Sequence, residues 1–296
     1  MRILLSGATG LIGSEARRRL ETRGDSVVAI ARGPREGAVS WPEGAPPDAS
    51  ALEGFDAVVH LAGESVAGRW SAAKKARIYD SRVTRTRQLC DALATLKTPP
   101  RVLVCASAIG IYGDRGGETL DENSASGSGF LADTCRDWEA ASAPVESKMR
   151  VAHARFGIVL SRRGGALKEM LLPFNLGLGG PLGDGSQFWS WITLSDAARA
   201  VLHLLDGEIC GPANITAPDP VRNREFARDL GSALHRVGLL PVPAFALRLL
   251  FGEFADEGLL SSARAMPKRL QGSGFRFEQP YLLEALDALF HEARTS

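Results

Sequence analysis

The sequence predicts a doubly wound, parallel α/β sheet followed by a smaller, mainly helical C-terminal lobe. Three observations predict it. The apolar run Ile3-Leu4-Leu5 enters a glycine-rich turn, "SGATGLIG" from Ser6 to Gly13, and a helical pattern follows at once. Further apolar runs alternate with helical patterns along the first two thirds of the chain, as in sheets covered on both faces. The length of 296 residues is more than one ordinary core needs and leaves room for an appended lobe.

A strand is expected from Arg2, and a helix over Leu11 to Arg23, where Leu11, Ile12, Ala16 and Leu20 share one face. Ser26 to Ala31 reads as the second strand. From Arg32 to about Phe55 the composition, rich in Gly and Pro, reads as loop. "AVVHLAG", Ala57 to Gly63, is the third strand; a helix spans about Ala72 to Leu96, and "RVLVCASAIG" from Arg101 is the next strand. A helix over about Leu131 to Ala143 and the strand "RVAHARFGIVL" from Arg150 follow. The stretch from Pro173 to Ile192 reads as a long glycine-rich loop in contact with substrate, before a helix opening near Ser195-Asp196. Beyond Pro218, amphipathic helices alternate with joints such as "LLPVPAF". The expected division is therefore 1–217 for the sheet domain and 218–296 for the lobe, with 164–192 contributing to the substrate cleft.

Composition narrows the function. A net charge of +1 provides no general surface for nucleic acid or anionic membrane. The N-terminus enters a strand directly, and no run of about 18 apolar residues occurs, so a cytoplasmic protein is expected, without membrane or nucleic-acid partners. The four cysteines lie far apart and the five histidines form no ligand-spaced cluster, which argues against disulfides and against a metal site.

The glycine turn carries the first chemistry. Gly7 permits a sharp turn, Gly10 lets backbone N–H groups approach a pyrophosphate, and Gly13 lets the helix pack on the strand. The helix N-terminus at Leu11 and Ile12 then faces the anion. Gly13-Ser14-Glu15 stands where a nucleoside-triphosphate loop would carry Gly-Lys-Ser/Thr, which leaves a dinucleotide as the ligand. The second strand ends Ala29-Ile30-Ala31-Arg32, without the acid that accepts from the ribose hydroxyls of NAD. Arg32 instead suits a 2′-phosphate, with Arg35 adding charge, so NADP is the expected cofactor.

Together, "SGATGLIG", "DAVVHLAGE", "CASAIGIYGD", "FGIVLSRRGGAL", "FNLGLGGPLGDGSQFWSWI" and "PVRNREFA" resemble the YfcH-like epimerase family, a group of atypical, extended-type short-chain dehydrogenase/reductases. The resemblance spans nearly the whole chain. It implies a Rossmann-type fold, an NADP(H) site, and cofactor contacts from Leu61 and Ala62, with Gly63 beside them. It further implies an oxidoreductase or epimerase acting on a small polar or sugar-nucleotide-like molecule, as a monomer or homodimer. The alternative is a non-catalytic NADP(H)-binding regulator.

The sequence departs from ordinary members of that superfamily at the chemistry. Those enzymes use Ser with Tyr-x-x-x-Lys, where the tyrosine transfers the proton and the lysine lowers its pKa. Ser107 lies near the serine position, although alignment on Tyr112-Gly113 places Ala108 there instead. Leu131 and Cys135 fall where Tyr and Lys belong. Arg82 replaces a usual asparagine and can stand in for the missing cation; Arg77 and Arg155 are further candidate cofactor contacts. The catalytic candidates are Tyr112 for proton transfer and Ser107 for polarising the substrate oxygen, with Glu64 and Asp114 as substitutes. Trp189 and Trp191 read as packing or stacking groups, and Cys135 lacks an activating base.

Overall fold

The computed structural model describes residues 1–33, 35–236 and 240–290. The chain runs β1 (Arg2–Ser6), α1 (Leu11–Thr22), β2 (Ser26–Ala31), β3 (Ala38–Ser40), β4 (Ala57–His60), α2 (Ala72–Tyr79), α3 (Arg85–Ala94), β5 (Val102–Ala108), β6 (Thr119–Leu120), α4 (Phe130–Ala140), β7 (Arg150–Phe156) and β8 (Ile158–Leu160). It continues through α5 (Gly165–Asn175), β9 (Phe188–Trp189), β10 (Trp191–Thr193), α6 (Leu194–Asp206), β11 (Gly211–Ile215), β12 (Val221–Arg222), α7 (Asn223–Ala233), α8 (Ala244–Phe251), β13 (Arg264–Ala265), α9 (Lys268–Gly272) and α10 (Leu282–Phe290).

Seven strands form one parallel sheet in the order β11-β7-β5-β4-β1-β2-β3. The chain moves outward from β1 to β3, returns to β4, and moves outward the other way. That reversal leaves a crevice between β1 and β4 at their carboxyl ends, where sheets of this kind bind ligands. The apolar runs that predicted the central strands are buried through Ile3-Leu4-Leu5, Val58-Val59 and Leu103-Val104. Helices α1 and α6 pack together on one face of the sheet.

Four expectations shift. The segment from Arg32 to Phe55 contains strand β3, which pairs with β2 at Ala29–Ala38, Ile30–Val39 and Ala31–Ser40. The helix expected over 72–96 is interrupted by a π-turn at Asp80–Thr84. The strand from Arg150 breaks at Gly157: β7 stays in the main sheet, while β8 pairs with β10. The glycine-rich stretch begins inside α5, which carries Pro173 near its end.

A second apolar cluster joins α5, β9, β10, α7 and α10 through Phe174, Trp189, Trp191, Phe226 and Leu286. The C-terminal segment also returns to the first domain: β13 pairs with β6, and Leu270 and Phe275 enter the main core. Among the described residues no helix is long and apolar enough to cross a membrane.

Candidate functional site

Both sides of the crevice are built from backbone. Gly7 adopts φ +72°, and a Cβ there would stand 2.7 Å from the Leu61 carbonyl carbon, so the turn after β1 presses against the segment leaving β4. A Cβ on Gly13 would stand 2.1 Å from the Gly7 oxygen, which locks the first turn of α1 onto the end of β1. Gly10 is the N-cap in extended conformation, and no side chain caps it. The amides of the first helical turn, at Leu11, Ile12 and Gly13, are therefore left for an anion. Leu61 and Ala62 are half-buried and Gly63 is exposed on the facing lip.

A neutral polar chain pins these two lips beneath the surface. His60 Nδ1 lies 2.6 Å from Ser6 Oγ, and the Ala62 amide donates to the same oxygen at 3.3 Å. His60 Nε2 meets Thr86 Oγ1 at 3.1 Å, and that oxygen accepts from Trp138 Nε1 at 2.9 Å. Each ring nitrogen of His60 thus meets a hydroxyl, Ser6 Oγ or Thr86 Oγ1, that can donate or accept, so the neutral ring is satisfied at both ends. Complete burial, with the Arg85 charge adding to it, pushes the His60 pKa down to about 4, so the ring stays neutral.

The cations surround the crevice unequally. Arg32 follows β2, its side chain is 83% exposed, and Nη1 meets Glu43 at 3.1 Å. A loose surface pair of this kind releases the guanidinium at little cost. Arg77, also exposed, approaches Glu64 at 3.8 Å; Glu64 is held more firmly by Lys74 Nζ at 2.7 Å. The Lys74 hydrogen bond holds the Glu64 carboxyl below the usual range, so Glu64 is an ion-paired carboxylate and not a poised proton carrier.

Arg82 sits in the π-turn, an irregularity that helices concentrate at functional sites. Its Nη1 donates to Glu64 O at 2.9 Å and Ile78 O at 3.3 Å, and its guanidinium lies over the Trp138 ring at 5.2 Å. A Cβ on Gly63 would be 3.6 Å from its carbon. Nε and Nη2 make no hydrogen bond among the described residues, so the edge facing Gly63 keeps free donors.

Both catalytic candidates, Tyr112 and Ser107, are buried. Tyr112 is fully buried. Its oxygen accepts from Arg155 Nη1 at 3.0 Å and lies 2.9 Å from Asp121 O and 2.8 Å from Asn214 Oδ1. Burial pushes its pKa up despite the Arg155 charge. The Tyr112 hydroxyl is thus held among interior partners and stays protonated. Ser107 is turned to the same interior, donating to Glu139 Oε1 at 2.7 Å. Arg155, which the sequence places at the cofactor, is bound bidentately to Glu139 at 2.7 and 2.8 Å and belongs to that interior network as well. Asp114 accepts from the Gly116 and Ser262 amides and anchors a loop. Trp189 and Trp191 are both buried in the second apolar cluster, which makes them packing groups. We expect Tyr112→Phe to lower stability by about 1–3 kcal/mol, because Arg155 and Asn214 each lose a buried partner, and to leave cofactor affinity within a factor of roughly two. Urea unfolding and a cofactor titration of the variant check both.

Side chains alternate along β5, so Ala108 points opposite to Ser107. A Cβ on the nearby Gly110 would lie 3.6 Å from Leu131 Cβ and 4.0 Å from Cys135 Sγ. Ala108, Leu131 and Cys135 thus form one apolar corner at the carboxyl end of β5. Burial pushes the Cys135 thiol up to about 12, which keeps it protonated.

Two features escaped the sequence. Glu257 reaches from the C-terminal segment to accept from the Phe130 and Leu131 amides at 2.9 and 2.7 Å, placing a carboxylate on the N-terminus of α4. It too lies in a π-turn, Ala255–Leu259. Trp70 packs between Phe130 and Phe254, with centroids at 5.2 and 5.6 Å. Neither is signalled by spacing, since the partners lie far apart in the chain. A cavity of about 320 Å³ lined by Glu15, Arg163, Thr193, Ser195 and Gln279 opens elsewhere, with none of the candidate residues on its wall.

The comparisons with known proteins agree with this geometry. Residues 3–212 match the NAD dependent epimerase/dehydratase family, and residues 242–289 match a domain of unknown function, DUF1731. An epimerase family protein of Mycobacterium bovis is 42% identical over 290 residues, covering 96% of each chain. The human epimerase family protein SDR39U1 is 36% identical over 291 residues, covering 97% of this chain and 98% of its own. The crystal structure of that human protein, isoform 2, with NADPH superposes with a TM-score of 0.91 at 34% identity, covering 98% and 99% of the two chains.

Proposed function

The chain belongs to the NAD dependent epimerase/dehydratase family, and from that membership we propose that it is an NADP(H)-dependent oxidoreductase or epimerase whose cofactor lies across the β1–β4 crevice. The observation that carries the reading is the uncapped start of α1 at Gly10, walled by two glycines whose Cβ atoms would collide with backbone. Free amides at a helix N-terminus suit an anionic group such as a pyrophosphate. The human relative crystallised with NADPH supports the choice of cofactor.

In this reading Gly7, Gly10, Leu11, Ile12 and Gly13 hold the pyrophosphate. Leu61, Ala62 and Gly63 line the nucleoside, and Arg32 takes the 2′-phosphate. Arg82 turns its free donors to the nicotinamide ribose, and Arg77 adds charge at the rim. NADPH supplies a hydride when bound. The chain contributes binding and orientation, and the substrate is a small molecule held between the 1–217 domain, through its segment 164–192, and the lobe 218–296.

The test is the cofactor preference. We expect wild-type protein to bind NADPH well over NADH, and Arg32→Ala to weaken NADPH by about 10- to 150-fold, the worth of a charge-assisted contact of roughly 1.5–3 kcal/mol, leaving NADH nearly unchanged. Calorimetric titration of both cofactors decides it, and equal wild-type affinities sink the assignment. The apolar corner of Ala108, Leu131 and Cys135 favours a second reading, a regulator that binds NADP(H) without turning it over; absence of turnover across a broad metabolite panel would select it.

A further inference from the structure

The cavity of about 320 Å³ away from the crevice gathers more positive charge than its acids balance. Glu15, on α1, is part of its wall; its side chain is 8% exposed and accepts from three arginines. Arg18 donates through Nη2 at 2.6 Å and Nε at 3.2 Å, Arg19 through Nε at 2.9 Å, and Arg163 through Nη2 at 3.2 Å. Those hydrogen bonds, led by the one from Arg18, hold the Glu15 pKa down at about 2, so a permanent carboxylate keeps the guanidinium groups in place. Arg162 lines the wall as well and spends only Nη1, on the Leu289 carbonyl at 3.3 Å. Nε and Nη1 of Arg163, and Nε and Nη2 of Arg162, make no hydrogen bond among the described residues. Four arginines are thus grouped around one carboxylate. The excess stays positive after the neighbouring Arg199 is set against Asp196 and Glu278, with both of which it pairs. The rest of the wall divides by polarity: Thr193 and Gln279 are polar, whereas Ala285, Ala288 and Leu289 of α10 present an apolar face.

We propose that this cavity binds a phosphate monoester carried on a short carbon skeleton, at a site distinct from the cofactor crevice. A guanidinium presents a planar fork of donors that matches phosphate oxygens, and two of them with unused donors, Arg162 and Arg163, suit a dianion. The α10 face covers the carbon skeleton, and the volume lies at the small end of the range for ligand sites, which limits that skeleton to a few carbon atoms. The site abuts the helix that carries the pyrophosphate cradle without sharing a residue with it. Arg163 precedes Gly164, where a Cβ would lie 3.6 Å from Leu11 Cδ1, and Glu15 follows the turn whose amides stand open. Both ligands can therefore be held at once.

The test is calorimetric titration of the full chain with n-butyl phosphate, inorganic phosphate and neutral n-butanol. Saturable binding of butyl phosphate is expected, with inorganic phosphate at least about tenfold weaker because it leaves the apolar face uncovered, and with no binding of butanol. Arg163→Gln leaves Arg18 and Arg19 on Glu15, so it should keep the wild-type unfolding midpoint and weaken butyl phosphate by about tenfold or more. Ala288→Leu fills part of the cavity and should weaken it by a similar factor; if that variant fails to fold, Arg163→Gln decides alone. Butyl phosphate should bind with unchanged affinity to protein saturated with NADP⁺. Absence of saturable binding, or wild-type affinity in a folded cavity variant, overturns the proposal. Displacement by NADP⁺ overturns it too, since the anion then sits in the crevice. The proposal does not rest on the cofactor reading: if NADP⁺ itself fails to bind, the cavity variants still decide.

Discussion

Gly13→Ala should abolish measurable cofactor binding and lower the unfolding midpoint substantially. The added methyl would sit 2.1 Å from the Gly7 oxygen, 2.8 Å from the Gly7 carbonyl carbon and 3.3 Å from the Ala8 Cα. All three are backbone atoms, so no rotamer change relieves the contact. Either α1 moves off the strand or the Gly7 peptide turns, and Gly7 is itself held at φ +72° against Leu61. Overpacking of this kind costs about 1–3 kcal/mol or more. Any displacement of α1 also removes the amides at Leu11 to Gly13 from the pyrophosphate, which should cost NADPH at least about 100-fold in affinity. The control is Gly24→Ala: Gly24 adopts φ +91° with nothing within 4 Å of a Cβ, so it should lose stability by about 1–2 kcal/mol and keep its cofactor affinity. Thermal unfolding and a fluorescence titration of the two variants are sufficient. Wild-type NADPH affinity in Gly13→Ala would show that the turn does not hold the pyrophosphate.

The parts of this fold that a sequence can display are those fixed by neighbours in the chain. The strands of the central sheet are legible because burial on both faces removes polar residues from runs such as Ile3-Leu4-Leu5 and Val102 to Ala108. The glycine turn is legible because its three backbone constraints, at Gly7, Gly10 and Gly13, lie close together in the chain. β3 is not: Ala38-Val39-Ser40 has no pattern of its own and becomes a strand only by pairing with the edge of β2. Tyr112 shows the other limit. Its position after β5 resembles an active-site phenol, yet its partners Asn214 and Arg155 arrive from β11 and β7, far along the chain. The bidentate pairing of Arg155 with Glu139 is hidden for the same reason, since the two residues meet only when α4 and β7 come together. Arg82 is recognisable as a cation on a helix, whereas the π-turn that aims it has no sequence signature.

Breaking the Glu139–Arg155 pair should destabilise the protein more than any other single charge removal around the site. The two side chains are 14% and 8% exposed and share two hydrogen bonds, with Ser107 and Tyr112 completing their coordination. Arg155→Ala strands a carboxylate in the interior with one hydroxyl for company, and Glu139→Ala strands the guanidinium; each should cost about 3–5 kcal/mol. The double variant Glu139→Leu with Arg155→Met should cost less than either single change, since no charge is then left buried without a partner. The pair also leaves a mark on acid stability. Burial alone would raise the Glu139 carboxyl, but the Arg155 hydrogen bonds and charge outweigh it and hold it below the usual range. The stabilisation it confers is present above the pKa of an unfolded glutamate, about 4.3, and is lost as pH falls through the lower folded value. His60 acts in a separate window: its ring stays neutral in the fold down to about 4, while the unfolded ring takes up a proton near 6.5, so stability declines as pH falls between those values. Urea midpoints measured from about pH 7 to pH 3 should therefore fall in two stages. In the double variant the stage below about pH 4.5 should shrink, and the stage between about 6.5 and 4 should persist. An unchanged acid profile in that variant, or an Arg155→Ala midpoint equal to wild type, would show that the buried pair does not carry the weight its geometry implies.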